Sequence, residues 1–271
     1  MSKFKYLSIP YVIWLAIIVV LPLLAMVLLS FTESSALDFT TMTFSLENWS
    51  RLFNTVYLNA FWNSIKIAGI STLICVLIGY PISYIISTSH LRNKMALIMV
   101  LILPMWSNQL LRIIAWEKIF YPISIINGLG LSFNLIGTDF AVIFATVTMY
   151  LPFMILPTYT VLEKLDKSYV EASYDLGVSR TKTFLKVTLP MSSKGIMSGI
   201  IMVFLPASTG FAITERLGGG KIIMIGNIIE NYFKRAFNYN MGGLLSLVVI
   251  LVIMGSIVLL SKFDKEGETL I

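Results

Sequence analysis

The sequence predicts an all-α integral membrane protein with six transmembrane helices, and three observations support that prediction. Charged residues make up 13% of the 271 residues, whereas soluble domains carry about 25%. The mean hydropathy is +0.84, which also excludes a disordered chain. Six long runs contain no Asp, Glu, Lys, Arg or His. Backbone amides in hydrocarbon must be hydrogen-bonded within their own segment, so each run is expected to form a helix.

The six predicted spans belong to a chain that we expect to form a single transmembrane domain over residues 1–271. They are placed at about residues 9–31, 62–87, 95–116, 139–162, 194–214 and 240–261. The first is longer than the apolar core of a signal peptide, roughly 7–15 residues, and is interpreted as a retained helix. Prolines within the spans are expected to kink them. The alternative at Pro206 is that it breaks the fifth span, together with Ser208, Thr209 and Gly210.

A seventh charge-free run, 119–138, is predicted to be a loop at the membrane surface. It contains a high density of helix breakers, among them Pro122, Gly128 and Gly130. That density argues against a straight spanning helix. A re-entrant segment is the alternative.

Basic residues predict how the chain is oriented. With six spans both termini share one side, which holds 12 of the 20 Lys and Arg residues, against 8 on the other. The positive-inside rule then places both termini in the cytoplasm of a multi-pass protein of the cell (plasma or inner) membrane. Scattered basic residues also explain the net charge of +6 better than nucleic-acid binding does. Cys75 and His90 are single residues of their types, so no disulfide framework, metal site or cofactor is expected.

The predicted cytoplasmic loop 163–193 has a pattern that the other loops lack. Tyr169, Ala172 and Leu176 recur at helical spacing, and Gly177 can end that helix in a left-handed conformation. Ser179 is a suitable N-cap for a second helix. The apolar residues of that helix alternate with basic ones and are Phe184, Leu185, Val187 and Leu189, followed by Pro190. The pattern predicts a helix–Gly–helix element with an apolar stripe that requires a partner.

The same segment carries Glu171-Ala172-Ser173, then Gly177, Val187 and Leu189-Pro190 at fixed spacing. These residues resemble the EAA loop of ATP-binding-cassette importer permeases. The family pattern is Glu-Ala-Ala, three residues, Gly, nine residues, Ile, one residue and Leu-Pro. The chain departs from it only in having Ser173 for Ala and Val187 for Ile.

This resemblance implies a type I importer permease with a cytoplasmic coupling loop. It implies two ATP-binding-cassette ATPase subunits docked on that loop, a second permease subunit and an external substrate-binding protein. Glu171 would make a polar contact, and Ala172 and Gly177 would allow close backbone approach. Leu176 and Phe184 would make apolar contacts.

The chain itself is not expected to be an enzyme, and no catalytic residue is predicted. Gly218-Gly219-Gly220-Lys221 is followed by Ile222, so the Walker A pattern is not satisfied. ATP would therefore be bound by the partner subunits.

Other motifs resemble spermidine/putrescine permeases in particular. They are Leu103-Pro104 with Trp106, Leu111-Arg112, Tyr150-Leu151-Pro152-Phe153, Leu217-Gly218-Gly219-Gly220 and Ile225-Gly226-Asn227. The resemblance implies a polyamine cargo. Thiamine, iron and other importer permeases share parts of these motifs, so another small solute remains the alternative. An ion-coupled secondary transporter would normally show internal repeats and intramembrane carboxylates, which the sequence does not show.

A polyamine path needs carboxylates for the ammonium groups and aromatic faces for the rest of the cargo. The acids nearest the outer ends of the spans are Glu117, Asp139 and Glu215, and the candidate aromatic residues are Trp106, Trp116 and Tyr150. For the aromatic residues the alternative is an interfacial belt. For Glu215 it is an ion pair with Arg216 or Lys221. Arg112 would repel a polycation and is expected to pair with Glu117 or with an acid of a partner permease.

Overall fold

The computed structural model describes residues 9–33, 42–121 and 135–263, with side chains up to residue 258. Contacts divide these residues into two compact units, one formed by 9–61 and 225–256 and the other centred on 62–224. The single domain expected over 1–271 stays a prediction. Most of the loop expected at 119–138 lies outside the described residues.

The described residues are almost entirely helical. In chain order the helices are α1 (Ile9–Ser30), α2 (Glu47–Arg51), α3 (Thr55–Thr88), α4 (Lys94–Ile102), α5 (Gln109–Phe120), α6 (Asp139–Glu163), α7 (Ser168–Asp175), α8 (Arg180–Thr183), α9 (Leu189–Met191), α10 (Ser193–Thr209), α11 (Ala212–Leu217), α12 (Ile225–Lys234) and α13 (Tyr239–Phe263). A 3-10 turn, Leu103–Trp106, follows α4, and a π-helical segment, Phe184–Thr188, joins α8 to α9. Two short antiparallel strands, β1 (Thr32–Glu33) and β2 (Thr43–Phe44), pair Thr32 with Phe44.

Four helices, α1, α3, α6 and α13, are long and apolar enough to cross a membrane. Two bent pairs in the described part of the chain share that composition. Lys94–Trp106 meets Gln109–Phe120 at 84°, and Arg180–Met191 meets Ser193–Thr209 at 62°. Counted as one span each, the pairs bring the total to six. The predicted all-α membrane fold is therefore confirmed, although not every span is one continuous helix.

The third span was expected to be continuous over 95–116, and the structure corrects this. After α4 the backbone tightens into the 3-10 turn that contains Pro104, and Ser107 is extended. Asn108 then caps a new helix, because its Oδ1 accepts a hydrogen bond from the Leu110 N–H at 2.8 Å. Pro104 lacks an N–H and Asn108 favours a helix start, so the break has a local cause.

Two other span boundaries differ from the prediction. Helix α3 begins at Thr55 rather than 62, because the Asn54 Oδ1 accepts a hydrogen bond from the Val56 N–H at 3.0 Å. The fifth span ends at Thr209 rather than 214, and the backbone is extended at Gly210 (ψ 122°). The structure therefore shows the break at Gly210 that was the alternative interpretation of Pro206.

In the first unit, side chains from distant segments fix the C-terminal end of α1. The Asn240 Nδ2 donates to the carbonyls of Leu29 at 3.3 Å and Thr32 at 2.7 Å. The Trp49 Nε1 donates to the Ser30 carbonyl at 2.9 Å. The last carbonyls of a helix have no partner within it, so these donors replace the missing bonds.

In the second unit, α6 is the central helix and packs closely against α3 and α10. A Cβ atom added to Gly195 of α10 would lie 3.0 Å from the Pro157 carbonyl oxygen, and one added to Gly199 would lie 3.3 Å from the Met154 Cα. On the other side, a Cβ atom at Gly79 of α3 would lie 2.8 Å from the Met154 Cγ. The small residues let the helix backbones approach closely, as in other membrane bundles. They fix the position of α6, which leads directly into the loop 163–193.

Candidate functional site

The helix–Gly–helix element predicted in 163–193 is present, and we call residues 168–191 the coupling element. Helix α7 begins after Asp166, whose Oδ1 accepts a hydrogen bond from the Ser168 N–H at 3.0 Å. That bond stabilises the ionised carboxylate and lowers the pKa of Asp166. The carboxylate also lies at the positive end of the helix dipole. The start of the element is therefore fixed by local chemistry.

Gly177 ends α7 as the sequence predicts. Its φ is +74°, a conformation that glycine adopts without strain. The Gly177 N–H donates to the Tyr174 carbonyl at 2.8 Å, and the Val178 N–H donates to the Ser173 carbonyl at 3.1 Å. These two bonds form a Schellman motif, which satisfies carbonyls at the helix end. Among the described residues other than its two chain neighbours, none has an atom within 4 Å of a Cβ added at Gly177, so the turn is open to a partner.

The second half of the element is held by a bond that the sequence analysis missed. Ser179 has the extended backbone of an N-cap, but its side chain makes no capping hydrogen bond, so that part of the prediction was wrong. Instead, the buried hydroxyls of Ser173 and Thr183 hydrogen-bond at 2.9 Å and join α7 to α8. Ser173 is one of the two departures from the family pattern, and this bond gives its hydroxyl a structural use.

The predicted coupling residues fall into two groups by exposure. Leu176 is 83% exposed, which is unusual for a leucine. Glu171, Ala172, Gly177 and Pro190 are exposed as well, whereas Ser173 is buried and Leu189 is half-buried. Tyr169, Tyr174 and Leu185 of the same element are exposed too, and several large apolar or aromatic side chains exposed together are typical of an interaction surface. The exposed group therefore forms one candidate docking surface.

Phe184 was expected on that docking surface, and the structure shows a contact within the chain. Its ring is half-buried and packs edge-on against Tyr80 and Tyr84 of α3, at centroid distances of 5.9 and 5.0 Å. Neither tyrosine was singled out in the sequence. The sequence does show that the two tyrosines are spaced i, i+4 and so lie on one helix face. This spacing does not identify the ring that they contact.

Asp139 and Glu117, which are candidate path acids, form ion pairs with basic residues of the same unit. Asp139, the first residue of α6, forms an ion pair with Lys66. Glu117 pairs with Arg216 at 3.6 Å, not with Arg112 as expected. The Arg112 Nε is buried and has no hydrogen-bond partner among the described residues. Glu215 is exposed on the short helix α11.

The candidate path aromatics differ in their surroundings. Trp106 is 89% exposed at the break in the third span. Trp116 stacks on Phe120 at 5.6 Å and meets Phe144 edge-on at 4.8 Å, so it belongs to an aromatic cluster in the core. Tyr150 is buried, with its hydroxyl 3.7 Å from a Cβ position at Gly210. Of these aromatics, Trp106 alone is freely exposed.

A helical membrane bundle with an exposed helix–Gly–helix element is the fold expected of a transporter permease. Comparisons with solved structures support this fold. A bacterial transporter that imports the acidic polysaccharide alginate matches with a TM-score of 0.78 at 13% identity, over 97% of this chain and 96% of that chain. The methionine transporter MetNI in an inward-facing conformation matches with a TM-score of 0.60 at 15% identity, over 76% and 93% of the two chains.

Sequence comparison then gives the family. The model described as "Binding-protein-dependent transport system inner membrane component" matches residues 82–263, and the chain belongs to this family. It is 34% identical to the spermidine/putrescine transport system permease protein PotB of Haemophilus influenzae in an alignment of 254 residues that covers 91% of this chain and 89% of the relative. The PotB protein of Escherichia coli is 33% identical over 253 residues, 91% and 92% of the two chains. The resemblance to importer permeases, and to spermidine/putrescine permeases in particular, that the sequence motifs indicated is thus confirmed.

Proposed function

We propose that this chain is a permease subunit of an ATP-driven importer of polyamines, with spermidine or putrescine as cargo. The observation that carries the proposal is its similarity to PotB proteins, at 33–34% identity over about nine-tenths of both chains. An alignment that covers 91% of this chain includes the coupling element. A cargo such as thiamine or iron is the alternative left open by the shared motifs.

The proposed machine contains two permease subunits, two ATPase subunits and an external substrate-binding protein. One of the matching structures is an alginate transporter in complex with its substrate-loaded periplasmic protein, which supports the last of these partners. ATP binds to the partner ATPases, since Gly218–Lys221 is a turn after α11 with Gly219 and Gly220 at φ +55° and +72°. A P-loop would instead join a strand to a helix.

Both termini and the coupling element lie on the cytoplasmic side in this proposal. The support is the bias of basic residues, 12 against 8, together with the exposed docking surface of the coupling element. Glu171, Ala172, Leu176 and Gly177 contact the ATPase subunits there. Movement of the ATPases then switches the bundle between outward and inward access.

The cargo path includes Trp106 and Glu215, with Tyr150, Trp116, Glu117 and Asp139 as further candidates. An exposed indole is a suitable face for an ammonium group or a methylene spacer. Glu117 and Asp139 are ion-paired, so an ammonium group of the cargo must displace Arg216 or Lys66 to bind them. Glu215 and Trp106 are both exposed, and they are the preferred pair.

Uptake of labelled spermidine and putrescine by cells that carry this chain with its partner subunits tests the proposal. We expect both polyamines to enter and an excess of unlabelled spermidine to compete. Thiamine in equal excess is the control and should not compete. Absence of polyamine uptake, with binding-protein-dependent ATP hydrolysis intact in the purified complex, would remove the polyamine cargo and leave the importer.

A further inference from the structure

The coupling element is connected to α3 by an aromatic contact remote in sequence. Phe184 lies edge-on to Tyr80 at 65° and to Tyr84 at 70°, with centroids 5.9 and 5.0 Å away. Edge-to-face rings at these distances attract each other beyond the area that they bury. Because the two tyrosines are one helical turn apart, they hold the Phe184 ring from two positions along α3.

A hydrogen-bond chain runs beside the rings. The Tyr80 hydroxyl lies 2.9 Å from the Ser192 Oγ, and the Ser192 Oγ donates to the Thr188 carbonyl at 2.8 Å. A serine hydroxyl has a single hydrogen, so Tyr80 is the donor in the first bond. Ser192 is fully buried and marks the 62° bend between Arg180–Met191 and α10. The same tyrosine thus contacts both Phe184 and the bend.

Between these two contacts the backbone is π-helical. The Leu189 N–H donates to the Phe184 carbonyl, five residues earlier, so the turn is wider than an α-helical turn. π-Helical turns are rare and concentrate at functional sites. The wide turn lies between Phe184 and Ser192. Phe184 contacts α3 through its ring, and Ser192 contacts α3 through a hydrogen bond.

We propose that Tyr80, Tyr84 and Phe184 form a clamp that delivers movement of the coupling element to α3, and that they are positioning residues for coupling. The inference rests on the proposed function. Without the clamp, the element would pull only on α6 and α10, to which it is joined by the chain. With the clamp it also moves α3, and α3 is packed against Met154 of α6 at Gly79. The pull therefore reaches three helices of this unit together.

The complete importer, reconstituted in lipid vesicles with its binding protein and spermidine, tests the clamp. The measured quantity is spermidine transported per ATP hydrolysed. We expect Tyr84→Ala to lower that ratio about five- to tenfold, as expected for loss of an aromatic pair, while binding-protein-stimulated hydrolysis continues. Tyr84→Phe is the matched control, because it keeps the ring and should retain the wild-type ratio.

Two further variants separate coupling from general damage to the fold. Tyr80→Phe removes only the hydroxyl bonded to Ser192, and we expect the ratio to fall about two- to fivefold, the effect of one hydrogen bond. The double variant Tyr84→Ala with Phe184→Ala should lose no more than Phe184→Ala alone, because Phe184→Ala already removes the contacts of that ring with both tyrosines.

The outcomes distinguish this inference from the function on which it rests. A wild-type complex that transports spermidine with ATP, beside a Tyr84→Ala complex with an unchanged ratio, overturns the clamp alone. Additive losses in the double variant overturn it as well. A wild-type complex without binding-protein-stimulated hydrolysis overturns the proposed function and the clamp with it.

Discussion

Lys94, the first residue of α4, forms an ion pair with Glu163, the last residue of α6, at 3.5 Å. The same Lys94 Nζ donates to the Ser87 carbonyl near the end of α3 at 2.6 Å. One side chain thus joins the ends of three helices just before the chain enters the coupling element. The lysine side chain is 20% exposed and the glutamate side chain 41%, so the contact is only partly screened by solvent.

Replacing Lys94 should therefore weaken the fold more than replacing Glu163. We expect Glu163→Gln to lower the free energy of unfolding by at most about 1 kcal/mol. Lys94→Ala should lower it by about 2 kcal/mol, because the Ser87 carbonyl also loses its donor. Thermal unfolding in detergent measures both. The exposed pair Glu47–Arg51 of α2, with side chains 56% and 48% exposed, is the control, and Glu47→Gln should leave stability unchanged within error. Equal effects of all three variants would contradict the role of Lys94.

Gly177→Asp should uncouple ATP hydrolysis from transport while the protein still inserts and assembles. A left-handed φ of +74° is tolerated by Asp and Asn at modest strain, and no neighbouring atom obstructs a side chain there. Gly177→Asn is nearly the same shape without the charge and is the matched control. We expect Asn to keep most of the transport and Asp to lose it, because the charge lies on the proposed docking surface. Wild-type transport by the Asp variant would disprove the docking surface.

Glu215→Gln and Trp106→Ala should each lower polyamine uptake without lowering the amount of assembled complex. The carboxylate would pair with an ammonium group and the indole face would hold a cation, an interaction of about 0.5–2 kcal/mol that corresponds to a roughly two- to thirtyfold rise in the KM for spermidine. Trp106→Phe keeps an aromatic face and should show a smaller effect. Uptake kinetics that do not change in Glu215→Gln would remove that residue from the path.

Two glycines, one packed between α6 and α10 and one in an open position on α3, predict stability changes of opposite sign when they are replaced by alanine. Gly195→Ala should destabilise the protein by about 1–3 kcal/mol, because its Cβ would lie 3.0 Å from backbone atoms of Pro157 and Thr158. Gly69→Ala in α3 has nothing within 4 Å and should stabilise by about 0.5–1 kcal/mol. Thermal unfolding of the two variants provides the comparison. A Gly195→Ala variant that is as stable as the wild type, or more stable, would show that α6 and α10 are not in close contact there.

The start of α7 should depend on pH through Asp166. The Ser168 N–H lowers the pKa of Asp166 in the folded state. The stability that the Asp166 carboxylate contributes is therefore complete above the ordinary carboxyl pKa of about 3.9, and it is lost as the pH falls through the lower folded pKa. Amide exchange of the first turn of α7 should therefore increase only in strong acid. Asp166→Asn keeps an acceptor but cannot titrate, and should abolish this dependence. An identical pH profile in both proteins would exclude Asp166 as its source.

Local chemistry explains which parts of the structure could be predicted from the sequence. Gly177 was predicted because a left-handed residue at a helix end requires no knowledge of distant contacts. The break at Ser107 and Asn108 had equally local causes, but the run without charges obscured them. By contrast, Phe184 with Tyr84 and Lys94 with Glu163 join residues far apart in the chain. Such pairs depend on how the helices pack, which periodicity within one helix does not determine.

Accumulation of labelled spermidine in lipid vesicles that contain the complete complex tests the central claim most directly. With binding protein outside and ATP available to the ATPases, the account predicts accumulation that stops when ATP is withheld and when Gly177→Asp replaces the wild-type chain. It also predicts no accumulation from an ion gradient alone. Spermidine uptake that follows an ion gradient without ATP would contradict the account.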